Sequence, residues 1–448
     1  MKKKILSIIL VMLLLLTVLT SCSVMEKIRS AIWASDLRGL AFTLKEDGTY
    51  LVEIGDEKRS SEIVIPSTYK GLPVTEVGKF NDTNAVNNTL KTVIISEGVT
   101  CISDKAFYNC ASLMSVTIPA SVTTIGEKAF EGCNAPLYTK DQGAIYVGDR
   151  KNAYAALVGV DEESIGDLTV SDQTTVIANS AFQESTNLTG IVLPNGITKL
   201  PRYMFKQCTN LESVTIPNSV TSIGAAAFSG CTSLKEITIP NSVTSIGEAA
   251  FSGCTSLKEI TIPNSVTSIG KFAFNYCTNL MSITIPNSVI SIEEGVFDGC
   301  RRLRSITIPN SVISIGVAAF SGCTALLEIT LPNSLLSIGE HAFSGCAYLE
   351  RITIPNSVIS IGDFAFENCT RLLYVTIGES VTTIGKCAFS GCNSLRSATF
   401  LKCENWRIVS SPASTNGTTV LIETLSQPSR AAQLLYSSYR VYYWYRTE

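Results

Sequence analysis

Phenylalanine recurs every 23 residues without a slip, from Phe182 through Phe205, Phe228 and Phe251 to Phe343, Phe366 and Phe389. Three residues after all but the first comes a cysteine, Cys208 to Cys392, and three after each cysteine a leucine, Leu211 to Leu395. Two successive stretches, SIGAAAFSGCTSLKEITIPNSVT and SIGEAAFSGCTSLKEITIPNSVT, differ only by Ala225 and Glu248. A fixed period of this length is the signature of a solenoid, in which each repeat is one coil that buries its apolar face only against its neighbours.

Within one coil, Leu234, Ile237 and Ile239 are apolar and Ile237-Thr238-Ile239 alternates, so the stretch reads as a short strand with one buried face. Pro240 ends it, because proline has no backbone N–H for a ladder, and Asn241-Ser242 forms the corner. Val243 and Ile246 turn inward again, Gly247 is expected to permit a tight bend, and two alanines make room for Phe251. The frame extends upstream through Phe130 and Phe107 to Ile63, and strand starts from Ile63 to Leu395 number 15 coils. Phe130 to Phe182 is 52 residues, two periods plus six, so one coil carries an excursion over 134–164, where LYTKDQGAIYVGD predicts a protruding hairpin.

Both ends of a stacked core need covering. Residues 40–62 read as an N-terminal cap hairpin turning at Asp47-Gly48. The period is lost after Phe400. Residues 401–448 read as a C-terminal cap with a helix near 429–436 and the aromatic run YRVYYWYR, for which a ligand-stacking surface is the sharper alternative.

The recurring IPNSVTSIGxxAFxGCxxLxxI, covering 63–400, resembles the BspA-type (treponemal-like) bacterial leucine-rich repeats. The resemblance implies a right-handed, curved, β-rich leucine-rich-repeat solenoid on a bacterial surface, often adhering to host proteins or other cells. It implies no catalytic residue.

Lys2, Lys3 and Lys4 precede the apolar run Ile5 to Leu16 and then LTSCS, the pattern of a secretory signal peptide. Leu19-Thr20-Ser21-Cys22 resembles a bacterial lipobox, so residues 1–21 are expected to be removed, Cys22 to be diacylated and 22–39 to form a tether. The expected location is the cell envelope, lipid-anchored, on the outer surface.

Fifteen cysteines in an exported chain ordinarily suggest disulfides. Stacked side chains have parallel Cβ vectors about 4.8 Å apart, however, whereas a disulfide prefers about 3.8 Å. The ladder is therefore read as buried thiols packing as small hydrophobes, in which a serine hydroxyl would be unpaired and would cost more than alanine. Cys101, Cys387 and Cys403 lie off the ladder. With His341 the only histidine, no metal site is expected, and no cofactor either. A net charge of -3 with 16% charged residues gives no electrostatic case for nucleic acid. There is no Gly-rich phosphate loop and no nucleophile elbow, and a serine-histidine pair would have to use His341, in a corner slot held elsewhere by alanine. Enzymatic activity is not expected.

In LxxIxI the second, third and fifth positions face solvent. The fifth is almost always threonine, from Thr215 to Thr376, which suits a strand surface. The second and third vary, and Arg304, Arg351 and Tyr374 are the candidate contacts for an extracellular protein ligand, a host-matrix or bacterial-surface protein. The alternative is a structural, self-associating envelope component with no foreign partner.

Overall fold

The computed structural model describes residues 37, 39–55, 60–80, 89–161, 166–409, 418–420, 422–438 and 442–447; Cys22, the leader and most of the tether lie outside them. The chain forms two units, Met1–Thr139 with Val147–Ala153, and Lys140–Tyr146 with Tyr154–Glu448. The fold is a β-solenoid with repeats of about 23 residues, about 15 turns in all.

In the first unit, Leu40–Leu44 pairs antiparallel with Tyr50–Ile54, from Leu40 opposite Ile54 to Leu44 opposite Tyr50. Asp47 and Gly48 are in the turn, which is wider than a two-residue loop. Lys45 N donates to Thr49 O, and the Asp47 carboxylate accepts from Thr49 N at 2.9 Å. Tyr50–Ile54 then pairs parallel with Leu72–Val77, that strand with Cys101–Ile102, and Cys101–Ile102 in turn with Thr124–Ile125. On another side of the coil, Glu62–Ile65, Thr92–Ile95 and Ser115–Thr117 form a parallel sheet. Phe80, Phe107 and Phe130 stack inside at 5.2 and 5.4 Å, so the phenylalanine column begins one coil earlier than the strict period reaches.

Each regular coil of the second unit has three sides. One carries the strand of the LxxIxI text, another the two-residue strand of Ser-Ile, and the third a chain of turns holding phenylalanine and cysteine. Strands pair in parallel with a step of 23 residues, as in Ser222–Ser245–Ser268 and Ser282–Ser305. The turns stack as well: Phe228 N donates to Ala250 O at 2.7 Å and Phe251 N to Ala273 O at 2.8 Å. At the corner, Val243 N donates to Pro240 O, and the Ser242 hydroxyl donates to Val220 O of the preceding coil at 2.6 Å. The inward leucine, isoleucine, valine, phenylalanine and cysteine columns form one continuous core.

Several local expectations are corrected. Gly247 does not have a left-handed backbone. A Cβ there would lie 2.6 Å from Ala225 N of the preceding coil, so glycine serves close approach rather than a bend. Only one alanine of the pair is inside: Ala250 is buried, while Ala249 turns outward with φ 51°. The strands Tyr138–Asp141 and Ala144–Val147, joined by Gln142 (φ 48°) and Gly143 (φ 84°), do not protrude; they join a four-stranded sheet, and Ala144 and Tyr146 are buried in the second unit's core. Positive φ at both turn residues is the conformation that matches strand twist in a two-residue hairpin. Finally, Lys235–Ile239 forms no ladder strand and 327–331 only a bridge at Thr330, although Ile237, Ile239, Ile329 and Leu331 stay buried.

At the C-terminal end, Tyr443–Arg446 runs antiparallel to Thr383–Ile384 and to Trp406–Val409. Trp406 and Trp444 are buried against Phe400. Helical segments occupy Ile422–Leu425, Pro428–Gln433 and Leu434–Ser438. Arg446 Nη1 donates to Glu379 O at 2.6 Å. The tryptophans of this region are core, while Tyr442 and Tyr445 are exposed.

Candidate functional site: a variable strand face

Because the core columns repeat, what differs between coils must lie on the surface. In the described ladder from Cys208 to Cys392 each thiol is unbridged and buried. Each donates to the phenylalanine carbonyl of the preceding coil, as in Cys254 Sγ to Phe228 O at 3.2 Å and Cys277 Sγ to Phe251 O at 3.1 Å. Burial pushes the Cys208 and Cys277 thiols up to about 12 and Cys254 well above its ordinary value. These are inert structural thiols, since the thiolate is the reactive form. A serine hydroxyl in the ladder would meet the same acceptor, so the expected unpaired hydroxyl is corrected. Among the described residues no group of three or more His, Cys, Asp or Glu is placed to hold a metal ion. His341 lies flat on Phe364 at 4.7 Å between centroids, beside Glu340 and Glu367.

Arg304, Arg351 and Tyr374 are all exposed on the strand face. Arg351 and Tyr374 are brought together as register partners on adjacent coils, with the guanidinium 5.7 Å from the ring centroid. Arg304 is not beside them. It belongs to the neighbouring row, where backbone bonds link Met281, Arg304, Leu327, Glu350, Leu373 and Arg396 in succession. Two coils, about 10 Å, separate Arg304 from Glu350.

Two contributors were not anticipated. Arg371 Cζ sits 4.0 Å from the Tyr348 ring centroid, and both side chains are exposed. They occupy the slot just before the strand leucine, which varies from Ser233 and Ser256 through Asn279 and Arg302 to Tyr348; that variation was the available signal. The other is a ridge on the short-strand side, where Ile290, Ile313, Leu336 and Ile359 are 61, 45, 45 and 51% exposed on four successive coils. Their slot holds threonine in the preceding coils, Thr221, Thr244 and Thr267. A guanidinium stacked on an aromatic face is attracted by the ring quadrupole and loses little conformational freedom on binding a ligand.

The chain matches the model of the BspA type leucine rich repeat region in six copies, over residues 79–149, 161–280 and 290–411. It is 31% identical to a leucine rich cell surface protein from Faecalibacterium prausnitzii A2-165, covering 82% of this chain and 94% of that one, with a TM-score of 0.41. A leucine-rich repeat protein from Bacteroides ovatus ATCC 8483 is 26% identical, with 81% and 98% covered and a TM-score of 0.46. The T. pallidum leucine rich repeat protein is 25% identical over 64% of this chain and 88% of that one, with a TM-score of 0.26. No curated protein sequence matches. The 23-residue period, the parallel ladders and the matched family model together place this chain among the BspA-type leucine-rich repeat proteins.

Proposed function

We propose that this chain is a bacterial cell-envelope protein that binds an extracellular protein partner through its strand face, with Arg304, Arg351 and Tyr374 as contacts. The observation that supports the reading is the Arg351–Tyr374 pair, exposed and in register on a face whose supporting core barely varies. Arginine and tyrosine dominate interface hot spots because they combine large area with directional polar groups. Family membership supports a scaffold for protein interaction rather than catalysis. Binding of the protein to a panel of extracellular-matrix and bacterial-surface proteins tests it. For any partner found, Arg304→Ala, Arg351→Ala and Tyr374→Ala combined should weaken binding at least about tenfold, about 1.4 kcal/mol, with the circular dichroism unchanged. Undiminished binding would remove the face from the function.

The anchor belongs to the same reading: cleavage after Ser21, two acyl chains on Cys22 and a tether over 22–39. Metabolic labelling with a palmitate analogue should mark the natural chain and not Cys22→Ser; equal labelling of both would end the assignment.

Self-association is a second reading, favoured by the exposed ridge of Ile290, Ile313, Leu336 and Ile359. Leu336→Glu should then abolish concentration-dependent sedimentation. A chain that stays monomeric at all concentrations rules this reading out.

A further inference from the structure

The strand face changes electrostatic character partway along the second unit. In the three outward slots around the strand start, the coils from Asn210 to Ser282 carry two lysines against three glutamates, and Lys235 pairs with Glu212 at 3.0 Å. The same slots from Arg302 to Ser397 carry five arginines, Arg302, Arg304, Arg351, Arg371 and Arg396, against only Glu328 and Glu350. Among the described residues none of those five arginines is in an ion pair. Two are instead held on tyrosine rings, Arg371 on Tyr348 at 4.0 Å and Arg351 on Tyr374 at 5.7 Å. The chain as a whole carries a net charge of -3, so this basic cluster runs against the overall balance.

Guanidinium groups outside any ion pair, two of them lying over tyrosine rings, are suited to carboxylates, which accept two parallel hydrogen bonds from the planar fork. Carboxylates alone do not account for the rest of the face. Met281 and Leu327 are 43 and 47% exposed and flank Arg304 in its own row, and Leu373 lies between Glu350 and Arg396. An acidic polysaccharide has no apolar side chains to set against them.

We propose that the segment received by this face is an extended acidic peptide with interspersed apolar residues, its carboxylates on Arg304, Arg351 and Arg371 and its apolar side chains on Met281, Leu327 and Leu373. The proposal rests on the strand-face reading above and names the chemistry of the partner. From Met281 to Arg396 the row spans five coil steps, about 24 Å, which an extended peptide of about eight residues covers.

Fluorescence anisotropy with the full chain in detergent tests it, using four labelled probes. They are a peptide of about eight residues alternating glutamate and leucine, its glutamine-leucine counterpart, an all-glutamate peptide of equal length, and a heparin oligosaccharide. The glutamate-leucine peptide should bind tightest and weaken as salt rises, because the contacts are partly exposed. Arg351→Ala with Arg371→Ala should weaken it at least about tenfold, and Arg371→Lys several-fold, since lysine keeps the charge and loses the planar fork. Lys235→Ala with Lys258→Ala should leave it unchanged. Equal binding of the glutamine peptide, of heparin or of the all-glutamate peptide would overturn the proposal, as would undiminished binding by the arginine variants or no binding of any peptide. If the peptides fail while the Arg304, Arg351 and Tyr374 variant still loses a natural partner, only the acidic-peptide chemistry falls; if that variant keeps its partner, the face itself falls.

Discussion

The cysteine of each coil has two tasks, filling a column and donating to a carbonyl. Phe228 O accepts both the Cys231 N–H of its own coil and the Cys254 thiol of the next. Alanine at 254 would remove sulfur and leave a small cavity; serine would lose apolar contact but keep a donor. Both should cost about 1 kcal/mol, with serine no worse than alanine, measured as urea midpoints. A serine variant several kcal/mol worse than alanine would show that the hydroxyl does not reach the carbonyl. The same burial makes the fold sensitive to base. An unfolded thiol loses its proton near 9.0, whereas Cys208 and Cys277 hold theirs to about 12. Above about pH 9 the unfolded chain therefore binds fewer protons, and stability should fall as pH rises, by about 1.4 kcal/mol per pH unit for each such thiol. Unfolding between about pH 8 and pH 11 of the natural chain and of Cys208→Ala with Cys277→Ala checks this; the double variant should show the shallower fall.

At the scale of an element, the glycine after a Ser-Ile strand lets that strand lie close against the preceding coil. A Cβ at Gly224, Gly247, Gly270 or Gly339 would come within 2.5–2.7 Å of backbone in the preceding coil. The short-strand ladder of the second unit breaks twice, before Lys199–Leu200 and before Ser291–Ile292. Those two coils hold Pro201 and Glu293 in the glycine slot. The Phe274–Phe297 spacing at the second break is 5.8 Å, against 5.4 Å on either side. Glu293→Gly should allow the coils to close. Two restored hydrogen bonds, about 1 kcal/mol each, outweigh the glycine entropy of about 0.5–1 kcal/mol, giving a net gain of about 1 kcal/mol. Amide exchange at residues 290–293 should slow; unchanged protection and stability would show that the side chain is not what holds the coils apart.

On the scale of the whole molecule, a stack of coils is only as secure as its last exposed face. The final short strand, Thr383–Ile384, is covered by Tyr443–Arg446, with Trp444 buried against Phe400 and Trp406. Trp444→Ala should therefore cost about 3–5 kcal/mol, and removal of 442–448 should lower the unfolding midpoint and shift tryptophan emission to the red. An unchanged midpoint would show that this strand covers nothing essential.

The period alone determined the coil, its inward columns and the unbridged thiols, because a one-dimensional repeat leaves each slot of the repeat a single environment. Pro240 and Asn241-Ser242 likewise announced the corner, since their backbone restrictions are local. Where the structure departed from expectation, the deciding contact came from another coil. Gly247 answers to Ala225 N, the cysteine thiol to a carbonyl 26 residues earlier, and Tyr146 to a sheet that absorbs its hairpin. The face was legible only as rows of variation. That Arg351 meets Tyr374, that Arg371 lies on Tyr348 and that Arg304 stands apart followed from which coils are neighbours and how each side chain turns. Those distances across coils exist only once the chain has wound, and no single repeat contains them.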